Sequence, residues 1–241
     1  MIEKLSNAWR EGRVFEQQLE FNNNQLTSVA SYALHWRQSV ELILALTEIQ
    51  NKPLENILDI GCGCGAFFEV CKRHLPLLHY SGTDYSESAI KLAQETWNGG
   101  NFFVKDVKEL TKEDIENYDL VYTSALFDVM PDGDEALEHL LQLSAKNIIL
   151  SRMKTTDDES YYEEYEAYGI TTCAFHHNKS NLLEMCDRYN YEVRQFADDH
   201  FLLMEKSKAS LSDINKAKSN LNWQPKVKLE DWIDQTKEST L

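Results

Sequence analysis

Short apolar runs alternate with amphipathic segments along the chain from about residue 55 onwards. Several runs are apolar without the alternation of a half-exposed strand, which is typical of strands covered on both faces. Strands that alternate with helices indicate βαβ units and a parallel sheet. Only a hairpin fits between Phe196 and Phe201, so we expect the last strand to be antiparallel to its neighbour. The seven predicted strands are Asn56–Ile60, His79–Thr83, Asn101–Val104, Leu120–Thr123, Asn147–Leu150, Glu192–Phe196 and Phe201–Met204.

The segment before the first strand is predicted to be helical. From Val29 to Ile49 apolar side chains recur at helical spacing, whereas Asn22, Asn23 and Asn24 predict a break before that helix. We therefore expect an α/β fold with a seven-stranded, mostly parallel, doubly wound sheet. Its three parts are an N-terminal helical cap (1–50), a Rossmann-like domain (51–207) and a C-terminal helical appendage (208–241).

Charge and composition narrow the classes of partner. The net charge of the 241 residues is −16, which repels phosphate backbones and argues against nucleic acid as a partner. No run of 18 apolar residues occurs, and the first residues lack the apolar core of a signal peptide. The five cysteines show no paired zinc-type spacing. We expect a cytoplasmic protein with reduced thiols, no metal and no membrane contact.

A glycine-rich loop follows the first predicted strand. Gly61, Gly63 and Gly65 would permit a tight turn that leads into a helix, whose first amides can face an anionic group. The glycines alone also satisfy the loose dinucleotide pattern G-x-G-x-x-A, and a purely structural turn is a further alternative. Asp59 favours a third interpretation, a site for a cationic amino-acid ligand. A carboxylate at this position suits such a ligand and disfavours a pyrophosphate.

The phrase Ile57–Gly65 resembles motif I of the class I S-adenosylmethionine-dependent methyltransferases, and the resemblance continues over roughly residues 55–205. In that family the acid matched by Asp84 holds the ribose hydroxyls, and the acid matched by Asp106 reads the adenine amino group. Residues 118–124 match motif IV, the fourth strand. The resemblance implies S-adenosylmethionine as cofactor and S-adenosylhomocysteine as product. The implied cofactor-binding residues are Asp59, Gly61, Cys62, Gly63, Gly65, Asp84, Tyr85, Asp106, Val107 and Ser124, with Tyr32 and Arg37 from the N-terminal helix.

The acceptor is expected to be a small molecule, because the motifs of nucleic-acid methyltransferases are missing and the charge is negative. His176 and His177 precede a predicted helix, Lys179–Arg188, and are equal candidates for a general base. Asp128 follows the fourth strand and is a candidate for orienting the acceptor. The insertion 151–180 carries tyrosines at helical spacing. They either pack against the rest of the protein or form a lid over the active site. These tyrosines are Tyr161, Tyr162, Tyr165 and Tyr168.

The stretch 212–231 resembles the C-terminal segment of NAD-dependent nucleotide-sugar epimerases and dehydratases. The Tyr-x-x-x-Lys pair of those enzymes is absent from the whole sequence, which argues against dehydrogenase activity. The resemblance implies a sugar or surface-polysaccharide precursor as acceptor for O- or N-methylation. It also implies a homo-oligomer or a sugar-enzyme partner that docks through the appendage. A non-catalytic cofactor-binding scaffold and a nicotinamide-dependent oxidoreductase remain as alternative functions.

Overall fold

The computed structural model describes residues 2–10 and 12–206. The predicted C-terminal appendage, with its resemblance to sugar-modifying enzymes, lies outside the described residues. The N-terminal part forms three helices, α1 (Ile2–Ser6), α2 (Gly12–Gln25) and α3 (Leu34–Gln50), with short 3-10 turns at Ala8–Arg10 and Val29–Ser31. No helix in the described ranges is both long and apolar enough to cross a membrane.

A seven-stranded sheet forms the centre of the molecule. Its strands are β1 (Asn56–Ile60), β2 (His79–Asp84), β3 (Asn101–Val104), β4 (Leu120–Ser124), β5 (Asn147–Ser151), β9 (Tyr191–Ala197) and β10 (His200–Glu205). They lie in the order β3-β2-β1-β4-β5-β10-β9. Strand β10 is antiparallel to both of its neighbours, and the pairs among β1 to β5 are parallel. The predicted α/β fold with an antiparallel last strand is confirmed.

Helices cover both faces of this sheet. They are α4 (Ala66–His74), α5 (Glu87–Thr96), α6 (Lys112–Ile115), α7 (Gly133–Gln142) and α8 (Lys179–Arg188). In β1, Ile57 packs in the core beneath α3 and α4, while Leu58 packs in the core beneath α7 and α8. Both faces are buried, which is why the strands read as continuous apolar runs.

The predicted break at Asn22, Asn23 and Asn24 is wrong, because α2 continues through them to Gln25. Asparagine is a weak helix former, and tertiary contacts outweigh that preference here. The Asn22 side chain donates a hydrogen bond to the sulfur of Cys64, at 3.5 Å. Asn22 thus faces the glycine-rich loop, whereas Asn23 and Asn24 are exposed.

The insertion forms a second, three-stranded sheet in the order β6-β8-β7. Its strands are β6 (Thr155–Thr156), β7 (Tyr161–Ala167) and β8 (Ile170–Asn178). The helical spacing of Tyr161, Tyr162, Tyr165 and Tyr168 is therefore misleading: the first three lie in β7 and the fourth in its turn. Tyr168 and Gly169 both have positive φ, 49° and 78°, as a two-residue hairpin turn requires. This turn geometry selects the hairpin over a helix.

Candidate active site

A cavity of about 760 Å³ opens at the carboxyl ends of β1 to β5. The N-terminal helices cover it from one side, and β7 with its turn bounds it from another. We call the part beside β1, β2 and β3 the cofactor half, lined by Asp59, Gly61, Gly63, Asp84, Tyr85 and Asp106. The part beside β4 and β5 is the acceptor half, lined by Ser124, Asp128, Arg152, Lys154, Tyr165 and Asp199.

The glycine-rich loop adopts a backbone that favours glycine. Gly61, Gly63 and Gly65 have φ of 76°, 54° and 76°, a region where a side chain is strained. The Gly61 amide donates to the carbonyl of Thr83 at 2.8 Å, which ties the loop to the end of β2. Helix α4 begins directly after Gly65, so its first amides face the loop. The predicted turn and helix start are confirmed.

Asp84 is held in place by backbone amides on both carboxylate oxygens. Its Oδ2 accepts from Gly63 N at 3.0 Å and its Oδ1 from Ser86 N at 2.9 Å. Burial raises the pKa of Asp84 to about 6, although these two amides oppose the shift. Each oxygen keeps a lone pair for a further donor, so Asp84 can receive a pair of hydroxyl groups.

Asp59 lies at the floor of the cofactor half and is buried. The hydroxyl of Tyr80 donates to its Oδ2 at 2.5 Å. Burial raises the pKa of Asp59 to about 7, and the nearby charge of Asp84 adds to this shift. Two buried carboxyl groups close to one another favour a cation between or above them, because a cation would stabilise their ionised forms.

The far end of the cofactor half is formed after β3. Asp106 accepts a hydrogen bond from the amide of Lys108 at 3.0 Å and so begins the 3-10 turn Val107–Glu109. Arg10, for which no role was predicted, places its guanidinium 4.4 Å from the centre of the Tyr85 ring. It also donates to the carbonyl of Tyr85 at 3.3 Å. The N-terminal segment thereby contacts the loop after β2.

The acceptor half is bounded by two residues in left-handed backbone conformation. Ala125 and Arg152 follow β4 and β5 directly, with φ of 50° and 60°. The Arg152 Nε donates to Ser124 Oγ at 3.1 Å. Lys154 Nζ lies 5.8 Å from the centre of the Tyr165 ring. Two cationic side chains therefore face this end of a cavity in a protein with strong net negative charge.

Asp128 faces the same half and is 5% exposed. Among the described residues, its Oδ1 has no hydrogen-bond partner. Burial raises the pKa of Asp128 to about 6, while Arg152, Lys154 and His177 oppose the rise. A buried carboxyl oxygen without a partner is costly unless a ligand or water satisfies it. Of the three predicted catalytic residues, Asp128 is the one that the structure brings to the cavity.

His176 and His177 are not among the residues that line the cavity, so the structure adds no support to their assignment as bases. They lie inside β8 rather than in a loop, so strand alternation turns them to opposite faces. The His176 ring stacks on Tyr161 at 4.7 Å, and its Nε2 lies 3.3 Å from Glu163 Oε1. His177 is fully buried, with its Nδ1 2.6 Å from Asp134 Oδ1.

Two predicted cofactor contacts from the N-terminal helices also lie elsewhere. Tyr32 is a core residue whose hydroxyl lies 3.2 Å from His74 Nε2. Arg37 is not among the residues that line the cavity, whereas His35 and Trp36 of the same helix are. Burial, followed by the charges of Arg152 and His200, lowers the pKa of His35 to about 3. His35 is thus a neutral imidazole at neutral pH.

Several residues of the cavity lining were not predicted from the sequence, among them its cationic side chains. These residues are Arg10, Gln18, His35, Arg152 and Lys154. Arg152 carried a usable signal, because it directly follows a buried parallel strand and ligands bind at that end of such sheets. The N-terminal residues carried none, since nothing in a helical repeat indicates which face will cover a cavity.

The comparison with known proteins agrees with this geometry. Residues 58–147 match the family model described as a methyltransferase domain. Malonyl-acyl-carrier-protein O-methyltransferase of Bacillus cereus is 31% identical over 115 residues, which are 46% of this chain and 41% of that protein. Trans-aconitate 2-methyltransferase of Enterobacter sp. is 28% identical over 106 residues, 44% of this chain and 41% of that protein. The match spans about two fifths of each relative's length.

Among solved structures, magnesium protoporphyrin IX methyltransferase from Synechocystis PCC 6803 superposes with a TM-score of 0.56. The superposition has 15% sequence identity and covers 82% of this chain and 95% of that chain. The chain therefore has the fold of this methyltransferase, and residues 58–147 match the methyltransferase domain model.

Proposed function

We propose that the protein is a methyltransferase that uses S-adenosylmethionine and methylates a small molecule. The observation that carries this proposal is the cofactor half of the cavity. There two buried carboxyl groups, Asp59 and Asp84, flank a glycine loop at the start of α4. The matched methyltransferase domain, residues 58–147, contains all of these elements.

The residues present fit the cofactor. Burial raises the pKa of Asp59, so its ionised form is unfavourable without a partner charge. A cationic ligand, such as an ammonium or sulfonium group, would stabilise that ionised form. Asp84 offers one remaining lone pair on each oxygen for the two ribose hydroxyls. Asp106 and Val107 would bound the adenine. When bound, the cofactor supplies a methyl group that is already activated for transfer, so positioning provides much of the rate.

The same features disfavour the alternatives. The pyrophosphate of a nicotinamide dinucleotide would add negative charge beside the buried carboxyl groups Asp59 and Asp84, which is unfavourable wherever either carboxyl is ionised. A non-catalytic scaffold would need no cationic lining in an acceptor half. Arg152 and Lys154 face that half with Asp128, which favours an enzyme with a second ligand.

We infer further that the acceptor is an acid that is methylated on a carboxylate oxygen. Both named relatives are called after acidic acceptors, a malonyl group and trans-aconitate. Arg152 and Lys154 provide complementary charge, and a guanidinium can bind a carboxylate through two parallel hydrogen bonds. A carboxylate arrives ionised and needs no general base, which agrees with the absence of both His176 and His177 from the cavity lining.

A sugar or other polysaccharide precursor is the second candidate, and its support is the resemblance of residues 212–231. A hydroxyl or ammonium acceptor must lose a proton during transfer, and Asp128 or His35 would have to accept it. The compartment, the oligomeric state and a partner for the appendage stay predictions.

Isothermal titration with S-adenosylhomocysteine tests the cofactor. We expect Asp84→Asn to weaken binding about 10- to 100-fold, because hydrogen bonds to a charged group contribute roughly 1.5–3 kcal/mol. The matched control is Asp157→Asn, which makes the same change at an exposed position outside the cavity. Wild-type protein that binds no S-adenosylhomocysteine would refute the proposal.

A methyl-transfer screen then tests the acceptor. Its arms are dicarboxylic and tricarboxylic acids, acyl thioesters with a free carboxylate, sugar phosphates with nucleotide sugars, and small amines. Turnover in either acid arm supports the acid acceptor. Turnover confined to the sugar arm supports the second candidate and rejects the first.

A further inference from the structure

A chain of hydrogen bonds runs beneath the acceptor half, from Arg152 to Asp199. Arg152 Nε donates to Ser124 Oγ at 3.1 Å, and Ser124 Oγ lies 3.5 Å from Ser151 Oγ, the longest link. Ser151 Oγ lies 2.9 Å from His200 Nε2, and His200 Nδ1 lies 2.6 Å from Asp199 Oδ1. The chain begins and ends at residues that line the cavity.

The middle of this chain is buried in the sheet. Ser151 is 1% exposed and His200 is not exposed at all. Their strand neighbours Leu150 and Phe201 are fully buried apolar residues. Polar groups at such positions are unfavourable unless every one is paired, and both ring nitrogens of His200 have partners. A connected polar chain through an apolar sheet therefore points to a role beyond packing.

The donors can be ordered in one consistent direction. A guanidinium only donates, so Ser124 Oγ accepts from Arg152 and its own hydrogen is free to point to Ser151. Ser151 then donates to His200 Nε2, and the His200 Nδ1 hydrogen goes to the Asp199 carboxylate. The order runs from a cation to an anion, so each group polarises the next in the same sense.

The backbone fixes the same arrangement. Ser124 and Ser151 are paired in register across β4 and β5, and the amide of Ala125 donates to the carbonyl of Ser151 at 3.0 Å. Both Ala125 and Arg152 have positive φ, which for a residue with a side chain is unfavourable and persists where surrounding contacts impose it. Arg152 also donates from Nη2 to the carbonyl of Ser124, at 3.5 Å.

We propose that Ser151, His200 and Asp199 are positioning residues that hold the Arg152 guanidinium toward the cavity, where it binds the anionic group of the acceptor. This inference rests on the proposed function and names the residue that recognises the acid. Arg152 spends two of its five N–H groups on Ser124, and the others are left for an anion. The positioning residues act through Arg152 and touch no reacting atom.

The test is steady-state kinetics with the acid that the acceptor screen identifies. We expect Arg152→Gln to raise the acceptor KM about 10- to 100-fold, because a charged hydrogen bond is lost. Ser151→Ala and His200→Gln should raise the same KM about 3- to 10-fold, with kcat and the affinity for S-adenosylhomocysteine unchanged. The matched control is Ser81→Ala, which removes another buried hydroxyl from the same sheet.

Arg152→Gly gives a second readout that is independent of folding. Glycine accepts the positive φ of this position without strain, so this variant should fold at least as well as Arg152→Gln. Added guanidinium chloride at low millimolar concentration should restore part of its turnover and should leave the turnover of Ser81→Ala unchanged.

Three outcomes would overturn the proposal. Equal effects of Ser151→Ala and Ser81→Ala on acceptor KM would make the chain merely structural. A fall in kcat at constant acceptor KM in Ser151→Ala or His200→Gln would indicate that the chain relays a proton and does not position Arg152. An unchanged KM in Arg152→Gln would remove Arg152 from acceptor binding. If the wild-type protein binds no S-adenosylhomocysteine, the proposed function fails, and this outcome is distinct from the three above.

Discussion

At the end of β2 main-chain amides hold the Asp84 carboxylate, whereas at the ends of β4 and β5 a chain of side chains leads to the Arg152 guanidinium. Asp84 is fixed by amides of residues 63 and 86. Arg152 is fixed through Ser124, Ser151 and His200, which lie on three different strands or strand ends. The cofactor half is thus a local construction, and the acceptor half is a tertiary one.

This difference follows from what each half binds. A cofactor shared by many enzymes can be held by backbone amides and a few carboxylates, whose positions a strand–loop–helix unit fixes. An acceptor differs between enzymes, so its site is formed by side chains on loops that can change without disturbing the sheet.

The largest effect concerns Asp59. Its pKa rises from the usual 3.8 to about 7 because of burial, so the folded protein without ligand is most stable when Asp59 is protonated. That stability is lost as pH rises from about 4 to about 7, by up to roughly 4 kcal/mol. We expect Asp59→Asn to flatten this part of the pH dependence, measured as the free energy of urea unfolding.

Asp157→Asn is the control for this prediction and should keep the wild-type slope, because Asp157 is exposed. The diagnostic quantity is the difference between the pH curves of the wild type and Asp59→Asn. Asp114 and Asp119, whose pKa values are lowered, contribute slopes of the opposite sign to both curves. Parallel curves for wild type and Asp59→Asn would contradict the buried, neutral Asp59.

A smaller effect is expected at the glycine loop. Gly65 and Gly99 both have positive φ, 76° and 91°. A Cβ at Gly65 would lie 2.7 Å from the Phe102 ring, whereas a Cβ at Gly99 would meet no heavy atom within 4 Å. Gly99→Ala should therefore cost about 1 kcal/mol from backbone strain alone, and Gly65→Ala about 3 kcal/mol.

Urea unfolding gives the free energy of unfolding of both variants, and titration with S-adenosylhomocysteine gives their affinity for it. We expect only Gly65→Ala, and not Gly99→Ala, to weaken this binding, because a shift of Phe102 or of the loop would move the start of α4. Equal destabilisation by the two substitutions would mean that close packing at Gly65 is unimportant.

With the proposed acid acceptor, the smallest effect is expected at the candidate bases. With an acid acceptor, Asp128→Asn should change turnover by less than about tenfold, because an ionised carboxylate needs no base. With a hydroxyl or ammonium acceptor the same change removes a candidate base and should lower turnover about 10²- to 10⁴-fold. His176→Gln is the control and should leave turnover unchanged with either acceptor, since His176 contacts Tyr161 and Glu163.

Some features could be predicted because they depend on neighbours in the chain. The runs around Ile57, Val121 and Ile149 indicated a sheet covered on both faces, and the glycine loop with Asp84 indicated the cofactor half. Asp128 was found because it follows a strand of a parallel sheet. The histidines were misplaced because the insertion forms a hairpin, and the turn at Tyr168 and Gly169 outweighs a spacing of tyrosines that also fits a helix.

The order of the strands and helices of the central sheet, the glycine loop and the acids beside it follow from periodicity and from residues close in the chain. Which side chains close the cavity follows from how distant segments pack together. Arg10 meets Tyr85, and Arg152 reaches Asp199 through Ser151 and His200. Such contacts join residues far apart in sequence, and strand pairing and packing across the sheet bring them together, which no local pattern records.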